Sequence, residues 1–155
     1  MMKTRPPRPP ADWVVKIIKD FKRSIDYLET RPDIDSKRLA YFGWSWGGDM
    51  GTIIPAVEDR LKASVLGVGG VDTFTRPEVS TFNYVSRVKI PTLMLNGKYD
   101  RGMPYETTVK PMFDLLGTPK DQKELKLYDT DHWLPRNELI KETLSWLDRY
   151  LGPVN

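Results

Sequence analysis

The chain has 155 residues, 24 Lys plus Arg against 21 Asp plus Glu, no Cys and a single His. A length near 150 predicts one domain around one packed core. Without Cys there is no disulfide framework, thiolate nucleophile or Cys-based metal site, and one His excludes a multi-His metal centre, so any catalysis falls to hydroxyls, carboxylates and that His.

The first ten residues are basic and Pro-rich, with no apolar stretch behind them of the kind a secretory leader needs, so the expected location is the cytoplasm. No run approaches the ~18 apolar residues of a membrane span, and no membrane contact is expected. The net charge of +3 is uneven: residues 1–31 carry 8 positive and 4 negative side chains. Lys3, Arg5 and Arg8 stand among four prolines, which stiffen a solvated tail rather than build a nucleic-acid patch. We therefore read residues 1–11 as a tail, 12–155 as the domain, and expect no nucleic-acid partner.

In chain order, Trp13, Val14, Ile17, Ile18, Phe21, Ile25 and Leu28 recur at helical spacing, with Pro32 as the stop, and predict a long amphipathic helix. Arg38 to Phe42 reads as a short buried strand broken by Gly43. Trp46 to Val57 reads as a helix that Pro55 kinks or ends. Lys62 to Val68 is a second apolar strand, and Pro91 to Leu95 a third. Pro104 to Leu116 has a helical apolar face, disturbed by Pro111 and stopped by Gly117. Lys123 to Tyr128 alternates charged and apolar residues, as an edge strand with one solvated face does. Asn137 to Leu151 closes the chain as a helix ended by Gly152 and Pro153. Alternating strands and helices predict an α/β three-layer sandwich with a short, mostly parallel four-stranded sheet. Such sheets place their chemistry beyond the carboxyl ends of the strands.

Three loops lie at that end. The first carries Gly43-Trp44-Ser45-Trp46-Gly47-Gly48, a G-x-S-x-G between a strand and a helix. That context allows a sharp turn in which glycines leave room for neighbouring backbone while the Ser hydroxyl is presented at the helix start. The second carries Asn96-Gly97-Lys98-Tyr99-Asp100, and the third Asp129-Thr130-Asp131-His132. The order Ser, Asp, His, with the lone His in the third loop, assigns Ser45 as nucleophile, His132 as general base and acid, and Asp100 as the carboxylate that orients the imidazole. Asp129 and Asp131 are rivals for that last role, and Asp72 a weaker one. Asp100 is preferred because it follows a buried strand, whereas Asp131 adjoins His132 and reaches its ring only through a tight turn. Trp46 and Trp133 are candidate substrate-lining walls; Trp44 is expected to point into the sheet.

These pieces resemble the carboxyl-terminal half of an α/β hydrolase of the dienelactone hydrolase and prolyl oligopeptidase superfamily, over about residues 12 to 151. Pro32-Asp33-Ile34-Asp35 before the elbow strand and Lys89-Ile90-Pro91 before the third strand belong to the likeness. The resemblance implies a truncated α/β-hydrolase fold and a serine hydrolase that cleaves small carboxylic esters through an acyl-enzyme, with no metal or organic cofactor. A serine peptidase and a partner-dependent or inactive hydrolase fragment are the alternatives. Ser45 and Asp100 are 55 residues apart and Asp100 and His132 32 apart, so no cap domain is expected. The family's oxyanion hole uses the N–H of the residue after the nucleophile, here Trp46, plus one from the loop after strand three, for which this sequence has no counterpart. The resemblance also leaves Arg38 to Phe42 as an open parallel edge. A homodimer is expected through that edge and the Trp13 to Leu28 helix.

Overall fold

A computed structural model describes residues 11–72 and 76–153 of the protein. Residues 1–10 of the expected tail and the last two of the expected domain lie outside the described residues. Helix α1 (Ala11–Glu29) precedes four strands, β1 (Leu39–Trp44), β2 (Leu61–Gly67), β3 (Thr92–Gly97) and β4 (Lys123–Tyr128). The strands pair side by side in the order β1-β2-β3-β4, all parallel. Between them run α2 (Trp46–Met50), α3 (Ile54–Val57), α4 (Thr81–Val85) and α5 (Lys110–Leu115), and α6 (Arg136–Leu151) ends the chain. The α/β three-layer sandwich and its parallel four-stranded sheet are as the sequence predicts.

The central strands β2 and β3 are largely apolar on both sides because both faces are covered. On one face Leu66 and Met94 of the sheet pack with Val14 and Ile25 of α1, Met50, Ile53 and Ile54 of the α2–α3 region and Met112 of α5. On the other, Ala63, Val65, Leu93 and Leu95 pack against Trp146 of α6. Among the described residues α6 is the helix packed on this second face, and at the β1 edge of the face Phe42 is 52% exposed.

The structure sharpens four local expectations. α1 begins at Ala11, one residue inside the expected tail. The expected single helix from Trp46 to Val57 is two, because Pro55 has no N–H to bond a carbonyl four residues back; the chain turns after Met50, with the Thr52 hydroxyl donating to the Asp49 carbonyl at 2.8 Å, and Pro55 falls in the first turn of α3, where a missing N–H costs nothing. Pro111 acts likewise on the helix predicted from Pro104. Tyr105–Val109 winds as a wider π turn, in which the Lys110 N–H donates to the Tyr105 carbonyl, before α5 starts. Strand β4 was expected to leave one face in solvent, yet both faces are engaged. Lys123 Nζ donates to the Phe113 and Leu116 carbonyls at 2.7 and 3.1 Å on the α5 side, while Lys126 pairs with Glu142 of α6 on the other.

Candidate active site

The carboxyl ends of the strands are level, with Trp44 opposite Gly67 and Gly97 opposite Tyr128, so the loops after β1, β3 and β4 open at one end of the sheet. After β1 the chain reverses within one residue. Ser45 has φ 54° and ψ −116°, outside the ordinary range for a residue with a side chain, and its N–H donates to the Gly67 carbonyl at 2.8 Å. The turn is possible only because its neighbours lack side chains. A Cβ on Gly43 would stand 2.2 Å from the Gly47 oxygen, and one on Gly48 would stand 2.8 Å from the Gly69 Cα. Beneath the turn the Tyr41 hydroxyl donates to the Gly47 carbonyl at 2.6 Å, and burial together with the nearby Asp49 carboxylate pushes its pKa well above the usual phenol value. Asp49, itself buried, accepts the Gly70 N–H at 2.9 Å and so ties α2 to the loop after β2.

The second and third loops are joined to each other by backbone. The Lys98 N–H donates to the Tyr128 carbonyl at 2.8 Å and the Tyr99 N–H to the Thr130 carbonyl at 3.0 Å, while Lys98 Nζ pairs with Asp129 at 2.7 Å. Gly97 permits the approach, since a Cβ there would meet the Asp131 oxygen at 1.9 Å. The pairing brings Asp100 to His132. Asp100 is 4% exposed; one carboxylate oxygen accepts the Gly102 and Met103 N–H groups at 2.7 and 3.1 Å, and the other lies 2.6 Å from His132 Nδ1. The other ring nitrogen, Nε2, is 2.9 Å from Ser45 Oγ.

Of the rival carboxylates, Asp129 is engaged by Lys98 and Asp131 accepts the Trp133 N–H at 3.0 Å in an exposed loop, while Asp72 is buried beyond β2 with its N–H bonded to the Thr81 hydroxyl at 2.6 Å. Trp44 lies across Gly67, whose Cβ would meet its ring at 2.4 Å, and is part of the sheet packing. Trp133 stands edge-on to His132, with ring centroids 6.1 Å apart, and is largely exposed. Trp46 opens α2, so its N–H is among those that a helix's first turn leaves without an intrahelical partner. A cleft of about 680 Å³ lies beside Asp100 and His132, lined by Tyr99, Asp100, Arg101, Gly102, Asp131 and His132. Three features were not read from sequence: the Tyr41 hydroxyl, the Asp49 tie and the stacking of Trp13 on Trp46. The last has a signal in the order of elements. A helix that precedes a strand and packs antiparallel to it begins beside the strand's end, which here is the Ser45 turn.

The parallel sheet, the helices on both faces and the strained Ser turn after a strand define an α/β-hydrolase fold. The model of the family described as PETase, PET hydrolase-like, matches residues 12–153, and the chain belongs to that family. Cutinase 2 of Thermobifida cellulosilytica is 28% identical over 142 residues, a stretch that takes in 86% of this chain and 51% of that protein. The chain spans about half the length of the curated relatives it matches. Among solved structures, a cold-adapted esterase from an Arctic intertidal metagenomic library superposes with a TM-score of 0.74 at 24% identity, covering 89% of this chain and 60% of that one. An acetyl xylan esterase from Paenibacillus sp. R4 gives a TM-score of 0.74 at 21% identity, over 87% and 52%. These last two are likenesses of fold.

Proposed function

We propose that the chain is a serine hydrolase of carboxylic esters, with Ser45, His132 and Asp100 as its catalytic residues. The observation that carries this reading is the continuous contact from Ser45 Oγ through both ring nitrogens of His132 to Asp100, at 2.9 and 2.6 Å. In the proposed reaction Ser45 Oγ attacks the ester carbonyl while His132 Nε2 takes its proton. Asp100 keeps the Nδ1 proton in place and stabilises the imidazolium. The tetrahedral oxyanion lies against the Trp46 N–H. Its collapse expels the alcohol, which takes the proton from His132, and leaves Ser45 acylated. Water then attacks the acyl carbonyl while His132 takes its proton, the bond from the acyl carbon to Ser45 Oγ breaks with return of that proton to Oγ, and the acid is released. Trp46 and Trp133 are the proposed walls for the substrate, which is a small, accessible ester because the cleft beside His132 is open.

The Trp46 N–H supplies one of the two donors of the usual oxyanion hole, and each such donor is typically worth about 10²- to 10³-fold in rate. The exposed Phe42 on the outermost strand favours a second component that meets this edge. We propose a second copy of the chain there, with a backbone N–H of the partner as the other donor.

The test is hydrolysis of short-chain p-nitrophenyl esters together with labelling by a fluorophosphonate. The wild-type protein is expected to turn over the esters and to be labelled at Ser45, and Ser45→Ala to lose both. Equal rates in the two proteins, or no labelling of the wild type, would refute the assignment.

A further inference from the structure

The turn that presents the proposed oxyanion donor is made of residues with little rigidity of their own. Helix α2 runs only from Trp46 to Met50, and the two residues after Trp46 are Gly47 and Gly48. Glycine gives up more backbone freedom on folding than any other residue, so so short a helix with two of them in its first turn depends on anchors from outside. Gly48 has one. A Cβ there would stand 2.8 Å from the Gly67 oxygen and the Gly69 Cα, so the loop after β2 confines it. Gly47 is different. Its backbone is helical, and outside its own helix and chain neighbours a Cβ there would meet nothing nearer than the Tyr41 hydroxyl, at 3.9 Å. Neither space nor conformation demands a glycine at this position.

What reaches Gly47 is Tyr41. The side chain rises from β1 and is 5% exposed, and its hydroxyl donates at 2.6 Å to the Gly47 carbonyl, which also accepts the Gly51 N–H at 3.1 Å. The ring is itself held in place. It lies edge-on to Phe21 of α1 with centroids 5.6 Å apart, and its Cε1 is so close to Gly43 that a Cβ there would stand 2.7 Å away. Burial and the Asp49 carboxylate raise the phenol pKa, so the hydroxyl keeps its proton and remains a donor at neutral and mildly alkaline pH. That hydrogen bond goes to the backbone of α2 and to none of Ser45, Asp100 and His132.

We propose that Tyr41 is a positioning residue: by holding the Gly47 carbonyl it steadies the first turn of α2 and so aims the Trp46 N–H at the developing oxyanion. This deepens the hydrolase reading and rests on it. A donor has its full effect only when it already points to where charge develops, so a loosened turn weakens transition-state binding more than substrate binding.

The test begins with Tyr41→Phe, which keeps the ring against Phe21 and Gly43 and removes the hydroxyl alone. With p-nitrophenyl acetate, kcat and kcat/KM are expected to fall together by about 10-fold, a part of the 10²- to 10³-fold that a whole donor is worth, with KM unchanged. Hydrogen exchange is expected to quicken at the Asp49 and Gly51 N–H groups, which bond the Ser45 and Gly47 carbonyls. Adding Gly47→Ala to Tyr41→Phe restores rigidity from the backbone itself and should recover much of the lost kcat. Phe21→Leu loosens the packing around the ring but leaves the hydroxyl, so its melting temperature should fall while kcat stays at the wild-type value. The proposal is overturned by wild-type kcat in Tyr41→Phe, by unchanged exchange at Asp49 and Gly51, by a loss that Gly47→Ala does not relieve, or by an equal loss in Phe21→Leu. Thermal melts of every variant establish that it is folded. Failure of the hydrolase reading looks different: the wild type itself neither turns over the ester nor is labelled at Ser45, and faster exchange in Tyr41→Phe would then still mark Tyr41 as the anchor of the turn.

Discussion

Asp100 has both carboxylate oxygens engaged in opposite directions, and that fixes what it can do for His132. One oxygen accepts two backbone N–H groups, which locks the plane of the carboxylate, so the other has a single orientation toward Nδ1. A carboxylate there accepts from Nδ1–H and leaves Nε2 free to take the serine proton. In Asp100→Asn the carbonyl oxygen stays on the Gly102 and Met103 N–H groups, because they need an acceptor, and the amide NH₂ turns to the ring. His132 must then accept at Nδ1, carry its proton on Nε2 and lose its capacity as a base. We expect Asp100→Asn to lower kcat by about 10⁴-fold with little change in KM, in steady-state kinetics on p-nitrophenyl esters. A loss of less than about tenfold would mean that another group orients the ring. At this scale the sequence was informative where chain order and residue scarcity combine: one His, one G-x-S-x-G and an Asp soon after the buried strand β3. It was silent on Tyr41 and Asp49, whose contacts to Gly47 and Gly70 depend on how closely α2 settles on its neighbours. No residue pattern announces that settling.

At the scale of elements, Arg60 ties the first helix to the sheet, beside Lys22 of α1, whose Nζ donates to the Val57 carbonyl at 2.7 Å. Arg60, at the entrance to β2, bonds the buried Glu58 through two of its nitrogens at 2.7 and 2.6 Å, and reaches Asp26 and Glu29 of α1 at 2.7 and 2.8 Å. The Arg60 hydrogen bonds hold the Glu58 carboxyl below its ordinary pKa of 4.5, against the opposing effect of burial. A depressed carboxylate contributes stability that is complete above its unfolded value and is lost as pH falls through the folded one. Stability carried by Glu58 is thus full at pH 7 and declines only below about pH 4.5. Replacing the cation leaves Glu58 buried without its main partner. Arg60→Met is expected to lower the melting temperature at pH 7, because it leaves a buried carboxylate without its main partner. The deficit should shrink as Glu58 is protonated in acid. Thermal melts at several pH values read both effects, and a deficit constant from pH 7 to pH 3 would show that Glu58 is not the group involved. The strands, the long first and last helices and the two proline breaks were legible because apolar periodicity and missing N–H groups act locally. The short 3-10 turn Pro77–Val79 and α4 were not, since three or five residues carry no readable period.

For the whole molecule, the unequal covering of the sheet bears on assembly. β4 is an outer strand flanked by α5 and α6 and carrying lysines with partners on both sides, which blunts it against further pairing. β1 is the other outer strand and has no such protection among the described residues: Leu39, Ala40, Tyr41 and Phe42 include neither charge nor proline, and Phe42 is exposed on the face that α6 leaves open. On the opposite face α1 flanks this strand, with Tyr41 packed edge-on against Phe21 at 5.6 Å and with Val15 and Tyr27 exposed. A two-fold axis normal to the sheet at this edge would set two β1 strands antiparallel, pair their free backbone groups and continue one sheet through both copies. The same arrangement brings backbone of the partner toward the Ser45 end of β1, where the proposed second oxyanion donor is needed. We expect light scattering at micromolar concentration to give about 36 kDa, against 17.9 kDa for one chain. Phe42→Lys, which sets like charges near the axis, should shift the protein to monomer and lower esterase activity together. A wild-type protein that is a stable monomer with full activity would refute both the dimer and the shared oxyanion hole.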